Sequence, residues 1–255
     1  MYENTPDLWL SFLPRRGGTV HKYDYGHAVI YGAPALTGAS RLAAESCARI
    51  GAGLTTLLCA PETAAVYRTA LPAHIMVRDD LNWTDKRVSA KLYGPGGLPS
   101  APDYDGNVKT VLDADALLNL PDRLNENFVL TPHEGEFAKA FPALEGSKVE
   151  RAKAASARTG AVIVLKGADT VIAGPDGRCV VNTHASPALA TAGSGDVLAG
   201  MITGLLAQGM APFEASCAAV WIHGDCALAF GPGLVASDLP DLIPAALREL
   251  EKLKA

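Results

Sequence analysis

The chain has 255 residues, of which 49% are hydrophobic and 19% charged, so it is long enough for a large α/β core, and we expect residues 1–255 to form a single domain. Its formal net charge of -5, without a long run of lysine and arginine, argues against a nucleic-acid-binding protein. No apolar run approaches about 18 residues and the N-terminus lacks a basic start followed by an apolar core, so we predict a cytoplasmic protein with neither a membrane span nor a secretory signal.

The predicted elements alternate between short apolar strands and helical patterns. Strands are predicted at 27–32, 54–59, 73–77, 90–93, 108–112, 128–130, 161–166, 170–173 and 178–181. Helices are predicted at 38–50, from Pro61, and at 195–208, 212–230 and 239–252. This alternation indicates a mostly parallel sheet with helices on both faces, whereas the last two strands flank the turn Pro175-Asp176-Gly177 and are expected to form an antiparallel hairpin.

The five cysteines give no sign of a structural cross-link. They are odd in number and widely spaced, and no two form a CxxC pair. We therefore expect reduced, mostly buried thiols and neither a disulfide framework nor a zinc site. The histidines lack HxH or HExxH spacing, so no metal site built from protein side chains is predicted.

Polar and glycine-rich segments follow several predicted strands, at the edge where α/β sheets bind ligands. They are the loop 32–39, the segment 94–97, Asp113 and Asp115, the run Thr131 to Glu136, and the turn that begins at Lys166. Each segment also has a plain structural interpretation. The glycines and prolines could form turns, the two aspartates could end a strand and cap a helix, and His133 and Lys166 could face solvent. Thr131 could cap a helix with Glu134 in its first turn.

The segment 182–200, NTHASPALATAGSGDVLAG, joins a glycine-rich loop to a carboxylate and an apolar helix. The backbone N–H groups around Gly193, Ser194 and Gly195 are suited to an anion, because they open a helix and carry little side-chain obstruction. Asp196 would repel that anion, so a carboxylate at this position calls for a separate role. One such role is to take a proton from an attacking hydroxyl group, and the alternative is an acidic helix cap.

The order of motifs along the chain resembles the ADP-dependent NAD(P)H-hydrate dehydratases, which belong to the ribokinase-like superfamily. The motifs that carry the resemblance are HKYDYG (21–26), TGA (37–39), RIGAGLTTL (49–57), GPGG (94–97), VLDADAL (111–117), LTPHEGEF (130–137), LKGADT (165–170) and ATAGSGDVLAG (190–200). The match runs in order from about His21 to Gly231. LTPHEGEF, KGADT and AGSGD at these separations are specific for the family, whereas AGSGD alone would indicate only the superfamily.

The resemblance implies a ribokinase-like three-layer sandwich with a mostly parallel central sheet, and a repair reaction. Members of the family dehydrate (6S)-NADHX or (6S)-NADPHX to NADH or NADPH and release AMP and phosphate. Phosphorylation of the ring hydroxyl turns a poor leaving group into a good one. By this resemblance Asp196 is the catalytic base, and the anion hole is formed by Ala192, Gly193, Ser194 and Gly195.

Further site residues follow from the same resemblance. Substrate contacts are expected at Ala39, Gly96, His133 and Asp196. Nucleotide contacts are expected at Lys166, Gly167, Ala168, Asp169, Thr170 and Gly195. Mg²⁺ is expected to bridge the donor phosphates through water, and ADP, or ATP, is the expected co-substrate. Related proteins form homo-oligomers, so a tetramer is expected. The alternative function is a vitamin-type small-molecule kinase, such as a hydroxyethylthiazole or hydroxymethylpyrimidine kinase.

Two departures from the family pattern concern the expected site. The segment before ATAGSGD often reads GNPGMA in the family, whereas here it is His184-Ala185-Ser186-Pro187-Ala188-Leu189-Ala190. In the segment 94–97, Gly96 and Gly97 are both candidates for the substrate contact.

Overall fold

The fold is given by a computed structural model that describes residues 2–15, 17 and 21–254. Strands β1 to β10 are Tyr2–Glu3, His27–Tyr31, Leu54–Leu58, Met76–Arg78, Val88–Tyr93, Lys109–Leu112, Phe128–Leu130, Val162–Leu165, Thr170–Ala173 and Cys179–Asn182. Helices α1 to α7 are Thr37–Arg49, Ala64–Ala70, Glu134–Ala140, Lys148–Thr159, Ser194–Ala207, Pro212–Phe230 and Leu239–Lys252. No helix in this part of the chain is long and apolar enough to cross a membrane.

The strands form one mostly parallel sheet in the order β1-β10-β9-β8-β7-β6-β5-β2-β3-β4. From β4 to β8 every neighbouring pair is parallel, so these strands end at the same edge. The predicted hairpin is confirmed, because β9 and β10 pair antiparallel around the turn in which the Gly177 N–H donates to the Gly174 carbonyl. The strand predicted at 73–77 begins three residues later, at Met76.

Helices cover both faces of the sheet, as predicted. One apolar core joins alternate strand residues such as Ile30 and Val111 to α1, α2, α5, α6 and α7. The other core joins the opposite strand residues, such as Leu112, to α3 and α4. The central helix of the larger layer is α5, which is buried at every residue from Val197 to Ala207. Ser46 of α1 donates to the Val197 carbonyl at 2.9 Å and so fixes the start of α5.

Three elements were not among the predicted strands and helices: β1, α4, and α3, which was considered only as an alternative around Thr131. Strand β1 pairs in parallel with β10 through Tyr2 and Glu3. Helix α4 begins with a capping box, in which Ser147 caps the helix and Glu150 bonds back to the Ser147 backbone, and it ends at Gly160 in the left-handed conformation. All five cysteines are free, and four of them are buried, which confirms the expectation of reduced thiols.

Candidate active site

The glycine-rich loop and the start of α5 are built around Gly193. This residue is the N-cap of α5 and has a φ of 91°, a conformation that favours glycine. A Cβ atom at Gly193 would also lie 2.6 Å from the Leu42 side chain. The helix starts at Ser194, so its first N–H groups lack acceptors within the helix; the Ser194 N–H reaches the Thr191 carbonyl at 3.4 Å, and Ser194 and Gly195 line the cleft described below. Asp196 lies in this first turn but forms no capping hydrogen bond, which disfavours the helix-cap interpretation.

A buried ion pair lies at the ends of the parallel strands β6 and β8, which flank β7. Asp113 follows β6, and its Oδ1 accepts from Lys166 Nζ at 2.9 Å and from the Thr131 hydroxyl at 2.7 Å. Glu136 Oε2 lies 3.9 Å from the same Nζ atom. Burial lowers the pKa of Lys166, but the carboxylates of Asp113 and Glu136 outweigh burial and raise it. The ammonium group therefore stays charged beside the first turn of α5.

Asp196 is the carboxylate that remains unpaired next to this cluster. Burial, together with the negative charges of Asp113 and Glu136, raises the pKa of Asp196 to about 6, although Lys166 opposes the shift. A carboxylate with that pKa is ionised at neutral pH and still basic enough to accept a proton from a substrate hydroxyl. The arrangement therefore combines a base, a fixed cation and a helix N-terminus.

A cleft of about 440 Å³ opens beside Lys166 and the start of α5. Its lining combines polar groups, from Lys166 and Ser194 and from the backbone of Gly195, with apolar side chains of Pro187, Leu189 and Leu198. Five of the six residues predicted to contact the nucleotide line this cleft: Lys166, Gly167, Ala168, Thr170 and Gly195. The sixth, Asp169, is directed instead to Lys148, with 2.7 Å between Oδ1 and Nζ. The size and polarity of the cleft suit a nucleotide, with its phosphates beside the polar groups of Lys166, Ser194 and Gly195.

His133 is the N-cap of α3, so the interpretation with Thr131 as the cap is wrong. Its Nδ1 accepts from the backbone N–H groups of Gly135 and Glu136, and Glu136 Oε2 accepts from the His133 N–H. Because α3 begins at Glu134, Thr131 lies two residues before the capping position, and its hydroxyl donates to Asp113 instead. The His133 side chain is 59% exposed, and its Nε2 atom lies 3.4 Å from Glu136 Oε1.

The segment 94–97 packs against the loop before α1. A Cβ atom at Gly96 would overlap the Leu36 carbonyl and lie 2.9 Å from Ala39 Cβ, so the structure brings these two predicted substrate contacts together. Gly96 is partly exposed, whereas Gly97 is buried. The Ser40 hydroxyl accepts from the Ala33 N–H and donates to the Pro95 carbonyl, which ties the two loops to each other.

Comparison with known proteins assigns the family. Residues 27–247 match the family model described as NAD(P)H-hydrate dehydratase. The chain belongs to the NAD(P)H-hydrate dehydratase family. The bifunctional NAD(P)H-hydrate repair enzyme Nnr of Salinibacter ruber is 37% identical over 97% of this chain and 53% of that protein, so the chain spans about half the length of this relative. The ADP-dependent (S)-NAD(P)H-hydrate dehydratase of Bacillus subtilis is 34% identical over 94% of this chain and 95% of that protein.

Solved structures agree with this assignment and with the fold. The ADP/ATP-dependent NAD(P)H-hydrate dehydratase of Bacillus subtilis, co-crystallised with ATP/Mg²⁺, superposes with a TM-score of 0.85 at 31% identity and covers 98% of both chains. The hydroxyethylthiazole kinase of Pyrococcus horikoshii superposes with a TM-score of 0.61 at 15% identity, over 88% of this chain and 89% of that one. The second likeness concerns the fold alone, which is ribokinase-like.

In this member of the dehydratase family, some residues at the site were not among the predicted contacts. Asp113 and Glu136 had been recognised only as strand-end carboxylates, and the structure brings both to Lys166. His223 of α6 lines the cleft and is 6% exposed, and burial lowers its pKa to about 4. An isolated histidine within an apolar helix gives no sequence signal of such a position.

Proposed function

We propose that this chain is an ADP-dependent NAD(P)H-hydrate dehydratase, which returns (6S)-NADHX and (6S)-NADPHX to NADH and NADPH and releases AMP and phosphate. The observation that carries the proposal is that Asp196, in the first turn of α5, lies within electrostatic reach of the Lys166 ammonium group, while Lys166, Ser194 and Gly195 line the adjoining cleft. Membership of the family supports the choice of substrate. The similarity to the full-length ADP-dependent (S)-NAD(P)H-hydrate dehydratase supports the epimer and the co-substrate.

In the first step, Asp196 takes the proton of the ring hydroxyl as its oxygen attacks the terminal phosphorus of ADP. A new oxygen–phosphorus bond forms, the bond from that phosphorus to the bridging oxygen breaks, and AMP leaves with the electron pair. The N–H groups of Ala192, Gly193, Ser194 and Gly195 hold the transferred phosphoryl group, and Lys166 balances its charge. Asp113 and Glu136 keep Lys166 charged and in place.

In the second step, the phosphorylated ring loses phosphate. The bond between ring carbon 6 and oxygen breaks, phosphate departs with the electron pair, and carbon 5 gives up a proton to the departing phosphate as the ring double bond forms. No oxidant is needed, since the reaction removes water overall. The residues proposed to orient the ring are Ala39, Gly96 and His133, and the partial exposure of Gly96 favours it over Gly97 as the contact.

The nucleotide is proposed to lie in the cleft along Lys166, Gly167, Ala168, Asp169, Thr170 and Gly195. Mg²⁺ is proposed to bind together with the nucleotide phosphates, and it would neutralise the charge that develops during phosphoryl transfer. The donor set fits that mode, because no group of three His, Cys, Asp or Glu side chains within the described residues forms a protein cage, and Asp113 is engaged by Lys166. Such an ion is held through phosphate and water.

We also propose one catalytic domain over residues 1–255, a homo-oligomeric assembly such as a tetramer, and a cytoplasmic location. The single ten-stranded sheet supports one domain. Exposed apolar side chains at Leu228, Phe230 and Val235, near the end of α6, support a contact between copies. Light scattering tests the assembly, and a monomer at micromolar concentration would contradict it.

The activity is tested by incubating the purified chain with NADHX, Mg²⁺ and either ADP or ATP. We expect the absorbance of NADH to return with one molecule of phosphate released per molecule repaired, and more rapidly with ADP. Phosphorylation of a thiazole or pyrimidine alcohol without regeneration of NADH would contradict the proposal and favour a vitamin-type kinase.

The role of Asp196 is tested by Asp196→Asn. We expect turnover to fall by at least about 10³-fold, because the amide cannot accept the hydroxyl proton, while the affinity for ADP stays within a few fold. Calorimetric titration with ADP serves as the control for folding and nucleotide binding. Substantial residual turnover would show that Asp196 is not the base.

A further inference from the structure

One side of the nucleotide cleft is a segment with little regular structure, residues 185–190, which we term the nucleotide wall. Ala185, Pro187 and Leu189 of this segment line the cleft. Its only helical part is a short 3-10 turn at Pro187–Leu189. At its far end, the Ser194 hydroxyl donates to the Leu189 carbonyl at 2.7 Å. The nucleotide wall is therefore tied directly to the turn of α5 that is proposed to bind phosphate.

The near end of the nucleotide wall is held by His184, which docks on α6. The imidazole ring stacks on Trp221 with 4.2 Å between ring centroids and 8° between planes. The His184 Nε2 atom lies 3.1 Å from Asp225 Oδ1. The two contacts use perpendicular directions of the ring, one through its face and one along its edge, so they fix both its position and its rotation.

The backbone of His184 is held as well. Its carbonyl accepts from Asn182 Nδ2 at 3.0 Å and lies against Gly224 of α6, where any Cβ atom would overlap it. Trp221 is in turn supported from behind by the fully buried Trp9, at 5.8 Å between ring centroids. His184 thus rests on a rigid base and not on a mobile surface side chain.

A cleft wall with little internal structure is placed by its attachments. If the docked position of the wall is the one that binds nucleotide, weakening an attachment lowers the population of that position and the apparent affinity in proportion. The same change leaves Asp196, Lys166 and the substrate-side loops in place. Loss of an attachment should therefore act on nucleotide binding and spare the chemical step.

We propose that His184 is a nucleotide-positioning residue, which sets the affinity for ADP by docking the nucleotide wall on Trp221 and Asp225 of α6. This inference rests on the proposed function, because it assumes that ADP occupies the cleft. It concerns the residues with which this chain departs from the GNPGMA pattern.

The proposal is tested by calorimetric titration of the full chain with ADP and by steady-state kinetics. For His184→Ala we expect ADP binding about tenfold weaker and an equal rise in the KM for ADP, with kcat and the KM for the hydrate within twofold. His184→Phe keeps a stacked ring without the bond to Asp225, and Asp225→Ala removes the same bond while the imidazole remains. Both should weaken ADP binding by a similar, smaller factor of about three.

His74→Ala is the matched control, since His74 is an exposed histidine outside the nucleotide cleft, and it should bind ADP like the wild type. The proposal is overturned if His184→Ala is folded and binds ADP with unchanged affinity. It is also overturned if, in that variant, kcat falls and the KM values for ADP and for the hydrate both rise. Failure of the wild type to bind ADP would instead contradict the proposed function, and the role of His184 with it.

Discussion

At the scale of single residues, the site depends on keeping one carboxylate free among several that are engaged. Asp113 is held by Lys166 and Thr131, and Glu136 by the start of α3, whereas the Asp196 carboxylate makes no hydrogen bond with the described residues. Its environment is nevertheless negative, because those carboxylates lie close enough to raise its pKa. Because the neighbouring carboxylates raise its pKa, Asp196 is a usable base near neutral pH.

The first prediction concerns the pH dependence of activity. A base has to be ionised to act, so kcat/KM should fall as pH drops through about 6. Asp113→Asn removes a neighbouring negative charge and leaves the Lys166 cation, so this acid limb should move to lower pH by about one unit. Asp115→Asn, two residues further on and exposed, is the control and should leave the limb in place. An unmoved limb in Asp113→Asn would contradict the electrostatic account of Asp196.

At the scale of elements, the two functional sides of the site are built differently. The nucleotide side uses a helix start and a strand end, whereas the substrate side uses the loop at Gly96 in close contact with Ala39 in the first turn of α1. Gly96 has a φ of 77° and no room for a Cβ atom beside the Leu36 carbonyl. A side chain at Gly96 therefore has to push the loop before α1 away from the segment 94–97.

The second prediction follows from that packing. Gly96→Ala should raise the KM for the hydrate about tenfold, because a displaced loop misplaces the ring, while the affinity for ADP stays unchanged. Gly177→Ala is the matched control, since Gly177 has a φ of 87° in the β9–β10 turn and open space around it. Both variants carry similar backbone strain, so equal effects on the KM for the hydrate would argue against a substrate-side role for Gly96.

Much of this fold was predictable, and the exceptions have physical reasons. The apolar strands and α5 have clear patterns, and their positions are confirmed within a few residues. Helix α4 buries mostly small residues such as Ala152 and Ala155, so it lacks the apolar periodicity of a large-residue face, although the capping box at Ser147 was visible in the sequence. Strand β1 exists only through pairing with β10, a contact across most of the chain.

The site was predictable to the extent that its residues follow strands. The end of β8 pointed to Lys166 and the glycine-rich helix start pointed to Asp196, and the structure brings the two within electrostatic reach of each other. Which carboxylates meet Lys166 depends on strand order, since β6, β7 and β8 are neighbours, and order is not readable from local patterns. Thr131 was one possible cap of α3, but the helix begins at Glu134, so His133 takes the capping position, while the Thr131 hydroxyl donates to Asp113, 18 residues away along the chain.

At the scale of the whole molecule, two buried groups give opposite pH dependence to folding. Asp196 has a folded pKa of about 6, above its unfolded value, so its contribution to stability is present at low pH and is lost as pH rises through about 6. His223 has a folded pKa of about 4, below its unfolded value, so its contribution is present above about 6.5 and is lost as pH falls through about 4. Between about pH 4 and about pH 6, the free energy of unfolding falls with rising pH through Asp196 and rises with it through His223.

The third prediction separates the contributions of Asp196 and His223 to the pH dependence of stability. Asp196→Asn should be more stable than the wild type at neutral pH, by about 2 kcal/mol more than at pH 4, because the variant no longer ionises a carboxylate in a negative, partly buried place. It should also show a steeper gain of stability from pH 4 to 6.5, since the slope from His223 is no longer opposed. Urea unfolding at several pH values measures both effects. Asp122→Asn, at a fully exposed carboxylate, should change neither. If Asp196→Asn gains no stability at pH 7, the carboxylate is not held in an unfavourable charged state, and the physical basis for assigning it as the base fails.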